Sequence, residues 1–246
     1  MFTSVVRFLL ALSFFLLYTS AFAQNNRFMT WGAFFNTTKL GNSKWSFQFD
    51  GQLRSTGDIR DINQIMVRPA LLYNFNAHHN LGIGYGFVPS HQVRGNVSGL
   101  IVENRIFQQY IFKQRIHATT VDHRFRTEER FIGTSFNDNG TLRRTGNRFS
   151  GRLRYNVRAI MPLMKTDIFR RGAFVSLQDE IFANVVRLDH VNGKVFDQNR
   201  AYTSIGYRFS KKFDAEVGYM HQFILGGNNV RQQNNHIIQA AFYTRF

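Results

Sequence analysis

The sequence predicts an all-β chain closed into a transmembrane, antiparallel up-and-down barrel of about 10–12 strands. Three observations predict it. Along most of the chain, apolar and polar side chains alternate with period 2, the signature of a strand with one lipid-facing and one lumen-facing side. The last segment, residues 236–246, ends on an aromatic: Ile238, Ala240, Phe242, Thr244 and Phe246 share one face, and Gln239, Ala241, Tyr243 and Arg245 the other. Residues 1–23 read as an export signal, and no later apolar stretch approaches the roughly 20 residues of a spanning helix.

Taken in order, residues 1–7 carry Arg7, residues 8–18 are apolar apart from Ser13, and Ala21-Phe22-Ala23 puts small residues at the two cleavage positions before Gln24. A signal peptide over residues 1–23 and a barrel over residues 24–246 are expected. Residues 28–38 form a first strand. In residues 44–56, Trp45, Phe47, Phe49, Gly51 and Leu53 alternate with Ser46, Gln48, Asp50, Gln52 and Arg54. Ile65, Val67, Pro69, Leu71, Tyr73 and Phe75 line a third strand, and Leu81, Ile83, Tyr85 and Phe87 a fourth. Gly82, Gly84 and Gly86 on the inner face of that fourth strand leave room for bulky neighbours or a bend. Further strands follow at about 102–113, 121–134, 148–160, 173–186, 198–209, 215–225 and 236–246.

Short connections near Asn42, Ala77, Ile116, Met164 and Lys211 alternate with longer polar ones at 57–63, 91–99, 135–147, 187–197 and 226–235. That matches short periplasmic turns and longer extracellular loops. Alternation yields eleven strands, whereas a bacterial single-chain barrel with both ends periplasmic needs an even number. Ten or twelve are therefore expected, with twelve preferred.

Composition narrows the chemistry. The formal net charge of the 246 residues is +16, a value that elsewhere suggests nucleic acid. Export and alternation point away from nucleic acid, to the phosphorylated lipid of an outer leaflet or to an arginine-rich lumen. The chain has no cysteine, which excludes disulfides, thiolate nucleophiles and cysteine-ligated metals. A mean hydropathy of −0.27 is compatible with a membrane barrel, whose strands show lipid only every second residue. Proline is scarce, at 3 residues, as expected where most of the chain is in ladders.

The inward positions carry the most unusual pattern. Arg124, Arg126, Glu128 and Arg130 recur at period 2, and so do Arg152, Arg154 and Arg158 in the next strand. Glu103, Arg105 and Gln109 precede them; Gln178, Glu180, Asn184, Gln198 and Arg200 follow. Antiparallel neighbours at one height lie roughly 5 Å apart, so these side chains are expected to interlock as an arginine and carboxylate network across adjacent strands.

Here the chain resembles the outer-membrane barrels of a domain of unknown function numbered 2490. The matching pieces are Glu103-Asn104-Arg105-Ile106-Phe107-Gln108-Gln109, His123-Arg124-Phe125-Arg126-Thr127-Glu128, Arg152-Leu153-Arg154-Tyr155, Asp179-Glu180-Ile181-Phe182-Ala183-Asn184 and Phe196-Asp197-Gln198-Asn199-Arg200. Asn104 stands where that family often has His beside the first Arg. The resemblance implies an outer-membrane barrel and supplies no activity.

Three functions compete for the ladder. It is a polar filling that closes a narrow barrel and fixes register, an anion-preferring lining or a site for a small anionic solute, or catalytic machinery built on Glu128 and Glu180. Arginines around that pair suit charge pairing better than general-acid work. A lipid hydrolase would need a serine and a histidine to converge, and Ser90, His91, His117, His123 and His221 lack a recognisable motif. His78-His79 in a turn makes a poor metal site without further ligands. No catalytic residue, metal or cofactor is expected. Phe242 and Phe246 are expected to act as the signal read by the barrel-assembly machinery, with outer-membrane lipid as the surrounding partner in a Gram-negative bacterium.

Overall fold

The structure, a computed structural model, describes residues 25–56, 61–94, 96–166, 168–227 and 232–246. The signal segment at 1–23, the start at Gln24 and loop residues such as Arg231 lie outside them. Among the described residues eleven strands follow one another: β1 (Asn25–Lys39), β2 (Trp45–Ser55), β3 (Ile62–Asn74), β4 (His79–Arg94), β5 (Val97–Ile116), β6 (Thr119–Asp138), β7 (Thr141–Pro162), β8 (Gly172–Val186), β9 (Phe196–Ser210), β10 (Phe213–Ile224) and β11 (Gln233–Arg245). Each pairs with the next in antiparallel register, and β1 closes the barrel on β11.

The count of eleven corrects the even number that the parity argument favours. With an odd number of alternating strands the first and last run in the same direction, so closure requires one parallel seam. The seam runs without a shift from Asn25↔Gln233 to Thr37↔Arg245. A parallel ladder is slightly weaker per residue, and this one runs over 13 register pairs. The Phe246 backbone N–H donates to Thr37 O at 2.9 Å and Phe246 O accepts from Lys39 N at 2.6 Å. Thr244 Oγ1 accepts from Asn36 Nδ2 at 2.8 Å across the seam. As a consequence β1 begins at the rim of the long connections and β11 leaves at the opposite rim, not both at one side.

Two connections expected as loops are strand instead. β4 and β5 continue to Arg94 and Val97, and β6 and β7 continue to Asp138 and Thr141. The hairpins therefore rise above their neighbours; β7 has 22 residues where β2 has 11. Conversely, the turn expected to be short near Met164 spans residues 163–171 between β7 and β8.

The alternation holds on both faces. Ser46, Asp50, Gln52 and Arg54 are buried inward, while Trp45, Phe47 and Leu53 are exposed outward. Gly84 fulfils its expected role: a Cβ there would sit 2.7 Å from both Phe107 Cε2 and Pro69 O, so the glycine admits the fully buried Phe107 ring. Outward aromatics gather in two bands. Near the turn rim, Trp45–Tyr73, His79–Phe112 and Phe209–Phe213 meet at ring distances of 5.0, 4.9 and 5.3 Å. Near the loop rim, Phe28–His236 and Phe131–Phe149 meet at 5.1 and 5.5 Å. Phe213 and Phe223 mark the two bands on β10, ten residues apart, which is on the order of 25 Å along the axis at the usual barrel tilt.

The seam has a direct check. Gly32 and Ala240 are register partners with outward faces, and a Cβ at Gly32 meets nothing within 4 Å. Strand neighbours stand within the 4.4–6.8 Å Cα range of a disulfide. In this cysteine-free chain, Gly32→Cys with Ala240→Cys should oxidise readily, and Gly32→Cys with Gln239→Cys, whose second side chain points inward, should not. Equal oxidation of the two pairs contradicts the register.

Candidate functional site

The site is the barrel interior, and register decides who meets whom. Glu128 on β6 faces Arg152 on β7, whereas Arg126 faces Arg154. The like-charged Arg126–Arg154 pair is relieved because both guanidiniums lean along the strand toward the carboxylate of Glu128. Glu128 Oε2 accepts from Arg152 Nε at 3.1 Å and its Oε1 from Arg154 Nη1, while Arg126 Nη1 lies at 3.8 Å. Arg154 also donates to Glu180 Oε1 at 2.6 and 3.1 Å, and Arg124 reaches the same oxygen at 3.0 Å. Arg152 continues to Asp197 Oδ2 at 2.9 Å. One unbroken chain, Arg124–Glu180–Arg154–Glu128–Arg152–Asp197, thus crosses β6 to β9.

Other expected members form smaller groups. Glu103 takes Arg130 at 2.7 Å and Arg105 at 2.8 Å. Gln109, facing Arg126, accepts from its Nη2 at 2.6 Å. Arg158 reaches Glu216 at 2.7 Å, and Tyr243 donates to the same carboxylate at 2.8 Å. Asn184 corrects the expectation: it is fully buried and inward, yet its amide holds Asn192 Oδ1 and Lys194 O at 3.0 and 3.2 Å, tying down the β8–β9 connection instead of joining the ion pairs. Arg200 has amide partners only, Gln198 at 3.4 Å and the adjacent Gln222. Phe242 stacks outward on Phe213 at 6.2 Å, and Phe246 clamps the seam through its backbone.

Several participants escape a reading of the sequence. Asp50 pairs with Arg68, Asp214 with Arg208 and Arg245, and Arg54 is held by Gln52 and Gln64 at 2.7 and 2.8 Å. The available signal was parity: each is a charge at the inward parity of a strand whose outward positions are largely apolar. Aromatic faces supplement the carboxylates. Phe182 carries Arg152, Arg154 and Arg200 at 5.1, 4.5 and 4.8 Å from its ring centre, and Trp31 carries Arg54 and Arg200 at 3.9 and 5.2 Å. A desolvated cation over a ring gains about 2 kcal/mol or more, which offsets part of the missing counter-charge.

Two cavities remain beside this filling. A cavity of 330 Å³ lies toward the loop rim and one of 220 Å³ toward the turn rim. Trp31, Arg68, Arg154 and Arg200 line both cavities.

Catalytic candidates do not converge. Ser90 and His91 lie on β4, His117 in the β5–β6 turn, and His123 on the outer wall, hydrogen-bonded to Tyr155 Oη at 2.8 Å. His221 sits outside beside His236, at 5.5 Å between ring centres. His78 Nδ1 contacts Lys113 O and His79 Nδ1 contacts Tyr110 Oη. Among the described residues no three metal-ligating side chains come together.

No solved structure matches the chain significantly. An uncharacterised protein of Methylorubrum extorquens is 29% identical over 189 residues, covering 76% of this chain and 75% of the relative. The model of a family described as a protein of unknown function matches residues 28–234, from β1 into β11 and across the whole charged ladder. The motifs on the inner wall and this match agree, and the chain belongs to the family DUF2490.

Proposed function

We propose that this protein is a non-enzymatic outer-membrane β-barrel, exported by a cleaved signal peptide, whose lumen is closed by the arginine and carboxylate layer and whose loop-end cavity faces the surroundings for binding. The observation that carries the reading is the inverted polarity of the wall. Glu128 is 1% exposed inside while Ile205 is 65% exposed outside. A water-soluble barrel would leave that outer apolar surface in contact with water, far above the few hundred Å² a soluble monomer usually exposes in one patch. Lipid would cover it, and the two aromatic bands have the spacing of interfacial girdles. Membrane fractionation with heat-modifiable gel mobility tests the reading. The folded protein should sediment with the outer membrane and migrate faster unboiled; a freely soluble protein sinks it.

A second reading is a narrow anion-preferring pore, favoured by the cavities that enter from both rims toward one arginine-rich layer. The insertion signal belongs to the same proposal. Deleting Phe246 removes both the terminal aromatic and the clamp on Thr37 and Lys39, so it should lower the amount of folded barrel in the membrane more than deleting Asn229, which the sequence pattern sets in a long polar connection. Equal yields would remove the terminal strand from the assembly argument.

A further inference from the structure

The interior charges are not evenly matched. In the turn-end cavity Arg124, Arg158 and Arg245 each reach a carboxylate, at 3.0, 2.7 and 2.7 Å. The loop-end cavity is lined by eight arginines and two carboxylates, Glu103 and Asp197. Glu103 is taken by Arg105 and Arg130, and Asp197 by Arg152. Arg27, Arg54 and Arg200 are left without an ion pair among the described residues.

Arg54 and Arg200 are the informative two. They come from β2 and β9, which closure brings to one ring, that of Trp31 on β1, at 3.9 and 5.2 Å. Arg54 is only 8% exposed, and its polar partners are the amide oxygens of Gln52 and Gln64. Neutral amides orient a guanidinium without neutralising it. Two like charges held against one ring, with a third arginine at the mouth, make a positive concavity that an anion would stabilise. The planar guanidinium fork matches carboxylate and phosphate oxygens in bidentate fashion. A carboxylate offers one charge and two oxygens, enough for one fork. A phosphate dianion offers two charges and at least three oxygens, enough for both forks, and a cavity of 330 Å³ is at the scale of small-molecule sites.

We infer that the loop-end cavity is a binding site for a phosphate dianion, inorganic or as a monoester, held by Arg54 and Arg200 against Trp31. The inference deepens the surface-binding part of the proposed function and names its ligand chemistry.

The chain has two tryptophans, and Trp45 lies on the outer wall, so Trp45→Phe leaves Trp31 as the only indole. Fluorescence of this folded barrel in neutral detergent is titrated with inorganic phosphate, phenyl phosphate and, at matched ionic strength, acetate. Both phosphates should give a saturable change and acetate none. Arg54→Gln and Arg200→Gln should each weaken phosphate binding about tenfold or more. Arg143→Gln, the same charge change on an exposed hairpin paired with Asp138, should leave it unaltered. A short-chain phosphatidic acid distinguishes the source: tighter binding than phenyl phosphate assigns a lipid headgroup, weaker binding a free solute, and either supports the site. Should the glutamine variants fail to fold, Arg54→Lys and Arg200→Lys keep the charge, lose the fork, and should bind several-fold more weakly. A parent that responds alike to phosphate and acetate, or variants that bind as tightly as the parent, overturns the inference. Saturable binding by a protein that proves water-soluble would sink the membrane reading and leave this site standing; absence of binding by a membrane-embedded barrel does the reverse.

Discussion

Replacing Glu128 by Gln should lower the unfolding temperature of the purified barrel by on the order of ten degrees, and replacing Glu129 should change it little. Glu128 is 1% exposed and stands between Arg152, Arg154 and Arg126. The substitution keeps the shape of the side chain and one acceptor oxygen, so packing is preserved and the charge is lost. Breaking a buried ion pair from one side costs about 3–5 kcal/mol, because the remaining guanidiniums are left facing each other. In a chain of this size each kcal/mol moves the midpoint by about 2–4 °C. Glu129 points outward with only a 3.5 Å contact from Gln108 and serves as the control at the neighbouring position. Equal midpoints for the two variants would contradict the register of β6.

A comparable loss is expected from a single methyl group. A Cβ added at Gly218 on β10 would fall 2.5 Å from Ser204 Cβ and 2.7 Å from Ser204 Cα, besides meeting Thr203 O. The obstacle is largely the backbone of β9, which no rotamer change can move aside. Gly218→Ala must therefore separate two paired strands, at a cost at or above the 1–3 kcal/mol typical of overpacking. The folded, heat-modifiable fraction should fall sharply. Gly32→Ala, where a Cβ meets nothing within 4 Å, should fold like the parent. Similar folded yields for both would show that β9 and β10 do not approach as closely as described.

Much of this architecture was legible from residues 44–56 alone, because period 2 is a local property of strands. The ladder Arg124, Arg126, Glu128, Arg130 was legible for the same reason, as was the room made by Gly84. Parity was not. Whether β1 meets β11 in parallel depends on how the wall closes, and the rule of even strand number describes how related barrels close, not what Phe28 or Phe242 prefers. The tall hairpins also escaped. The expected loops 91–99 and 135–147 are rich in Gly, Asn, Ser and Arg, with only scattered apolar residues such as Val93, Val97 and Leu142, so no sustained apolar alternation distinguishes them from loop. Asp50 was visible as an alternating charge in residues 44–56, but its pairing with Arg68 needs the β2–β3 register. Trp31 and Arg54 are register partners on the neighbouring strands β1 and β2, but Arg200 on β9 joins them only because the wall closes through β10 and β11.

The central claim is that ion pairs and arginine–aromatic stacks close the lumen of a membrane-embedded barrel. Planar-bilayer conductance of the reconstituted, heat-modifiable protein tests it most directly. Trp31, Arg68, Arg154 and Arg200 line both cavities; on the closed-lumen proposal they block the path, so the parent should show no steady conductance at either polarity, and Glu128→Gln should lose thermal stability without gaining one. A steady, anion-preferring conductance in the parent, increased in its anion preference by Glu128→Gln, would contradict a closed lumen and establish the pore.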